Sequence, residues 1–239
     1  MNRDPVADAR AVVAELFPQA RWALLAGSVT TADRTAGSDL DIVVLLPDGD
    51  PQAPHRDSRL FREWPVELFV HDSQTLDQYR SREVPGRRPA LHQMVAMGIP
   101  LVGDPAQWQA ASIAVLAAGP APLTDPERES QRYAMTDRID DLTHARDPGE
   151  RTVIAAAVWV AIAELALLDA RHWVGHGKWL LRELRDHDTA LADRWLSAHG
   201  DAAAIESLAR EVLDAAGGPL FAGYHVLGER PTKLGKGFA

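Results

Sequence analysis

The sequence predicts an α+β protein: a small β-sheet with helices in the first half, followed by an all-α helical bundle. Three observations carry this. Helical and strand-like patterns alternate over the first hundred residues, no convincing strand pattern appears from Trp108 onward, and Gly119-Pro120-Ala121-Pro122-Leu123 separates the two stretches. A chain of 239 residues can bury one good core or two small ones. The change of pattern divides it into 1–118 and 119–239.

Apolar residues at Val6, Ala9, Val13 and Leu16 recur at helical spacing, and Pro18 ends that first helix, which starts at Pro5. Short apolar runs predict strands at about 22–26, 40–46 and 65–70. The stretch Pro47-Asp48-Gly49-Asp50-Pro51-Gln52-Ala53-Pro54 reads as the loop between the last two. Asp72-Ser73 opens a helix, Pro89 to Met97 reads as another, and Gly98 to Pro105 as a short strand and turn. Past the boundary, Thr124-Asp125-Pro126-Glu127 is a capping box with Pro in the first turn, where its missing N–H costs nothing. That helix runs to about Arg146 and stops at Asp147-Pro148-Gly149. Four more follow, from about Glu150 to His172, Gly177 to His187, Thr189 to Ala198 and Ala202 to Ala216, the last closed by Gly217-Gly218-Pro219. The tail Thr232-Lys233-Leu234-Gly235-Lys236-Gly237 is basic and Gly-rich and reads as a disordered end.

Composition narrows the classes. A formal charge of −9 argues against broad binding of a nucleic-acid backbone, which needs a basic face. With no cysteine, disulfides and thiolate zinc sites are excluded. The first residues, Met1-Asn2-Arg3-Asp4-Pro5, lack an apolar signal-peptide core, so a cytoplasmic location is expected. Thr152 to Leu168 approaches the length of a membrane span. It is Ala-rich, interrupted by Glu164 and continued by Asp169-Ala170-Arg171-His172, which predicts a buried helix of a helical domain and no membrane.

The chemistry concentrates near residue 40. Gly27-Ser28 ends the strand Trp22-Ala23-Leu24-Leu25-Ala26, and Ser38-Asp39-Leu40-Asp41 heads the run Ile42-Val43-Val44-Leu45-Leu46. Alternation along a strand sends Asp39 and Asp41 to one face and Leu40, Ile42 and Val44 to the other. Two carboxylates side by side repel, and keeping both ionised calls for a cation; hard oxygen donors suit Mg²⁺ or Mn²⁺. A Gly-Ser turn at a strand end brings backbone N–H groups and a hydroxyl within reach of phosphate oxygens. Together they imply a metal-bound triphosphate.

With these residues the chain resembles the nucleotidyltransferase superfamily of the DNA polymerase β type, whose motif is a Gly-Ser followed by Asp-x-Asp. The resemblance implies a small mixed sheet with helices on one face. It assigns the triphosphate to Gly27 and Ser28, with Ser38 beside them, and the metals to Asp39 and Asp41. It also asks for a third acid in a later strand, for which Glu67 in Trp64-Pro65-Val66-Glu67-Leu68-Phe69-Val70-His71 is the candidate, sharing a face with Phe69 and His71. A lone charge in such an apolar strand is costly without a partner, and a shared metal would be one. Members often carry Arg-Gly soon after the Gly-Ser; Val29-Thr30-Thr31-Ala32 stands there instead, with Arg34 as the nearest substitute for a phosphate contact.

A sheet followed by a helical bundle resembles, within that superfamily, the antibiotic and other small-molecule nucleotidyltransferases. The expected activity is therefore Mg²⁺-dependent transfer of AMP from ATP to a hydroxyl of a small-molecule acceptor. A regulatory, antitoxin-type relative that modifies or binds a partner protein is the alternative. In the bundle, Glu164 lies in the most apolar helix and either faces a cleft, as a general base for the acceptor, or pairs with a cation of a neighbouring helix. Lys178 starts a helix, where the dipole disfavours a cation unless an anion is near; it is either a triphosphate ligand, as in family members, or a solvated lysine. Trp159, Trp173 and Trp179 read as core residues, and Arg87-Arg88 as a basic turn. Acceptor identity, base preference and oligomeric state are not encoded in these patterns.

Overall fold

The computed structural model describes residues 4–32 and 34–228. The tail expected to be disordered, Thr232 to Gly237, lies outside them. The chain divides into two compact units. The first comprises Met1–Ala121 together with Arg171–Glu183, and the second Pro122–Ala170 and the chain from Leu184 on. The sequence placed the whole of 119–239 in one domain, whereas residues 171–183 return to the first unit.

Among the described residues, five strands form one sheet in the first unit: β1 (Trp22–Ala26), β2 (Leu40–Leu45), β3 (His55–Phe61), β4 (Trp64–His71) and β5 (Ile99–Gly103), in the order β3-β4-β2-β1-β5. β2 and β4 are parallel and the other neighbours antiparallel, so the sheet is mixed. The helices are α1 (Pro5–Leu16), α2 (Ser73–Glu83), α3 (Ala90–Met97) and α4 (Ala106–Ala118), with a 3-10 turn at Ser28–Thr30.

Helices cover both faces of the sheet, a correction to the one-sided arrangement expected. Leu25, Ile42, Val44, Leu68 and Val70 pack with Val12 and Val13 of α1. The alternate residues Trp22, Leu24, Val43 and Leu45 pack with Leu76 of α2 and Leu91 and Val95 of α3. The central strands are buried along nearly their whole length, which is why they read as continuous apolar runs. Caps fix the helix starts: Asp4 accepts from the N–H groups of Val6 and Ala7, and Asp72 and Thr75 form a reciprocal capping box.

Two elements had no sequence signal. β3 is an edge strand, half-buried or exposed throughout, so it lacks apolar alternation; its charges are what an unpaired edge favours. Its turn into β4 uses Arg62 and Glu63, both with positive φ (47° and 69°), in place of the Gly or Asn that would announce a hairpin. α4 is Ala-rich, with Ser112 its buried residue and no apolar stripe; it packs on α3, and Ser112 accepts from the buried Arg80 at 2.8 Å.

Residues 171–183 are tied to the first unit by backbone and side-chain bonds. The Val174 N–H donates to the Arg87 carbonyl (2.9 Å), Trp173 Nε1 to the Leu116 carbonyl (3.0 Å), Arg88 to the Gly175 carbonyl (3.0 Å) and Gln93 to Glu183 (2.7 Å). The basic turn expected at Arg87-Arg88 is thus a clamp on this segment. Lys178 opens α7 (Lys178–His187), and its first residues belong to this unit.

The second unit is helical among the described residues. α5 (Asp125–His144) begins at the Thr124–Glu127 capping box, and α6 (Pro148–Asp169) is capped by Asp147; α8 (Thr189–Ala198) and α9 (Ala202–Ala215) follow α7. α6 is long and apolar enough to cross a membrane, but α9, α5 and α8 pack around it. Trp159 of α6 and Trp195 of α8 stack with ring centroids 3.8 Å apart, each donating its indole N–H to the other's carbonyl at 2.7 and 2.6 Å. That places Trp159 in helix packing, as expected.

Candidate functional site

The acidic cluster follows from strand register. In the parallel β2–β4 ladder Asp41 stands directly opposite Glu67, and on its other side Asp41 faces Ala26, the last residue of β1. Asp39 precedes the strand by one residue and the pleat returns it to the same side. One carboxylate oxygen from each of Asp39, Asp41 and Glu67 lies within 4.8 Å of the others, and all three residues are half-buried. Partial burial, and then the charges of Asp39 and Glu67, push the Asp41 carboxyl up to about 6; Lys178 and Arg56 pull it down.

Gly27 makes the approach of Asp41 possible. Its φ of 76° and ψ of −170° fall where only glycine is comfortable, and a Cβ there would sit 2.0 Å from Asp41 Oδ2. The chain then turns through Ser28–Thr30, closed by Thr30 Oγ1 donating to the Gly27 carbonyl (2.9 Å) and Thr31 Oγ1 to that of Ser28 (3.0 Å). The buried hydroxyls of Ser28 and Ser38 lie 3.2 Å apart, and Ser38 Oγ also accepts from the Thr35 N–H at 3.0 Å. These two serines pin the Gly-Ser turn to the segment that carries Asp39.

Three carboxylate oxygens this close together could hold a metal ion, and hard oxygen donors suit Mg²⁺ or Mn²⁺.

No family model and no curated protein matches the chain. Among solved structures, a nucleotidyltransferase-like protein from Exiguobacterium sibiricum 255-15 aligns with 89% of this chain and 74% of its own, at 14% identity and a TM-score of 0.44.

Among the described residues, Lys178 and Arg56 act on Asp41. Lys178 lies in the first unit, at the start of α7, where its charge reaches Asp41. Arg56, on a polar edge strand with no apolar alternation to announce it, donates to Glu67 Oε2 at 2.6 Å and lies 4.7 Å from the Phe69 ring centroid. The signal for Arg56 is its diagonal position to Glu67 across the β3–β4 ladder, visible only once the register is known. Arg34, expected as a phosphate contact, lies 5.4 Å from the Trp64 ring, whose indole donates to Asp8 of α1, so its guanidinium sits over that side of the sheet.

His71, two pleats beyond Glu67, is buried with its ring edge-on to Tyr79 (5.1 Å). Burial lowers its pKa to about 4, so it is neutral at physiological pH. Glu164 is half-buried on α6 and belongs to the second unit.

Proposed function

We propose that the protein is a divalent-metal-dependent nucleotidyltransferase that transfers AMP from ATP to a hydroxyl of a small molecule such as an antibiotic. The observation that supports it most is the junction of the carboxylate cluster with Gly27: three acids converge beside a turn whose backbone only glycine can adopt. Asp39, Asp41 and Glu67 would hold Mg²⁺. When bound, that ion would neutralise charge on the triphosphate and acidify the attacking hydroxyl.

The chain's own groups have distinct parts in this reading. Asp39 and Asp41 bind the cation and fix its position, with Glu67 completing the set from the neighbouring strand. Gly27 and Ser28 present main-chain N–H groups at a strand end, where phosphate oxygens are readily held. Lys178 adds positive charge for the triphosphate. A cytoplasmic location, where nucleoside triphosphates are abundant, accompanies this reading.

The test is incubation with Mg²⁺ and labelled ATP, GTP, CTP or UTP against a panel of hydroxylated acceptors including aminoglycosides and lincosamides. Pyrophosphate release with one pair identifies base and acceptor together, and Asp39→Ala or Asp41→Ala should abolish it while the circular dichroism spectrum persists. Full activity in either variant would overturn the assignment. Label transferred to a co-expressed protein instead of a small molecule would favour the antitoxin-type reading.

A further inference from the structure

Arg56 and Ser58 face Phe69 and Glu67 across the antiparallel β3–β4 ladder, so both rise on the face that carries the acidic cluster. The Arg56 guanidinium reaches diagonally back to Glu67 and rests on Phe69, and its charge acts on Asp41 as well. The neighbouring charges of β3 do not claim it, since Asp57 and Arg59 point to the opposite face and pair with each other. Arg56 is thus committed to the acidic cluster.

We propose that Arg56 is an internal competitor for the divalent cation: its guanidinium holds Glu67, and a cation bound by the three carboxylates has to loosen that pair. This rests on the metal-binding reading above. A guanidinium at 2.6 Å takes up a lone pair of Glu67 Oε2 and restrains the carboxylate, and its positive charge opposes a second cation nearby. The pair is built to open. The Arg56 side chain is 62% exposed and that of Glu67 31%, and an ion pair so accessible to water is weak. The site consequently takes a bare cation poorly and a cation–triphosphate well, because the phosphates offer the displaced guanidinium a new partner.

The measurement is Mn²⁺ binding to the full chain by electron paramagnetic resonance, without nucleotide and at low ionic strength. Arg56→Met, which keeps the packing on Phe69, and Arg56→Gln should each tighten Mn²⁺ binding about tenfold, the effect of removing one like charge about 5 Å from a divalent ion in a water-like medium. Arg56→Lys should stay close to wild type. The gain should shrink in roughly 0.3 M salt, where screening shortens to about 6 Å. A merely structural Arg56 would give unchanged or weaker binding in the Met and Gln variants, and that result overturns the proposal. If the wild type binds Mn²⁺ and the variants show no gain, this inference alone falls; if neither binds Mn²⁺ with or without ATP, the metal reading falls with it.

Discussion

Gly27 and Asp41 show how closely single residues are constrained here. Gly27→Ala would place a Cβ 2.0 Å from Asp41 Oδ2 and hold a non-glycine residue at a φ of 76° and ψ of −170°. The backbone alone costs about 1–3 kcal/mol, and the carboxylate must also move; the expected outcome is a lower melting temperature and loss of divalent-ion binding by calorimetry. Asp41 itself opposes folding when ionised. Its carboxyl is raised from 3.8 to about 6, so the folded state holds the proton more tightly than the unfolded chain. The penalty is absent below about pH 4, grows as pH rises, and is complete above about pH 6. Solvent screening reduces it to about 1–2 kcal/mol. In metal-free buffer Asp41→Asn should therefore be more stable than wild type by that amount at pH 7 and no more stable at pH 4, measured as paired denaturant curves; a constant difference across pH would contradict this origin. Asp39, Asp41 and Gly27 were legible in the sequence because a Gly-Ser turn and alternate acids are local patterns. Arg56 was not, because its partner lies across a strand pairing.

Among the elements, the β3–β4 hairpin carries an avoidable cost. Both turn residues, Arg62 and Glu63, have positive φ, a conformation that asparagine and glycine adopt more readily. Replacing Arg62-Glu63 with Asn-Gly should raise stability by up to about 1 kcal/mol, less what is lost with the contacts of the two side chains, among them the Arg62–Asp8 pair at 3.2 Å. A rise in denaturant midpoint without a change in slope would show it; a fall would mean that the Arg62 contacts outweigh the backbone relief. The elements readable from the chain were those with an apolar run, a helical spacing or a cap: α1, the central strands β1, β2 and β4, α3, the helix opened by Asp72, and the bundle helices from Thr124 onward. β3 and α4 escaped because neither has a buried stripe, one being a polar edge and the other largely exposed. Local pattern reports burial on one face, and these elements have little of it.

For the whole molecule, the return of residues 171–183 to the first unit delivers Lys178 to the acidic cluster. Gly175 permits that return: a Cβ there would lie 2.4 Å from the Trp179 carbonyl carbon. Gly175→Ala should loosen the segment, seen as faster hydrogen exchange at Val174, whose N–H is bonded to Arg87, while exchange in β2 is unchanged. Protection at Val174 equal to wild type would show that the contact is absorbed elsewhere. The sequence by itself determined the α+β class, most element positions and the acids of the cluster, since each is written in residues close together along the chain. Tertiary structure decided that Asp41 meets Glu67 through parallel pairing, that Arg56 shares Glu67, that helices cover both sheet faces, and that Lys178 belongs with the sheet. Those facts depend on register and chain return, which join residues far apart in sequence and leave no periodic trace in it.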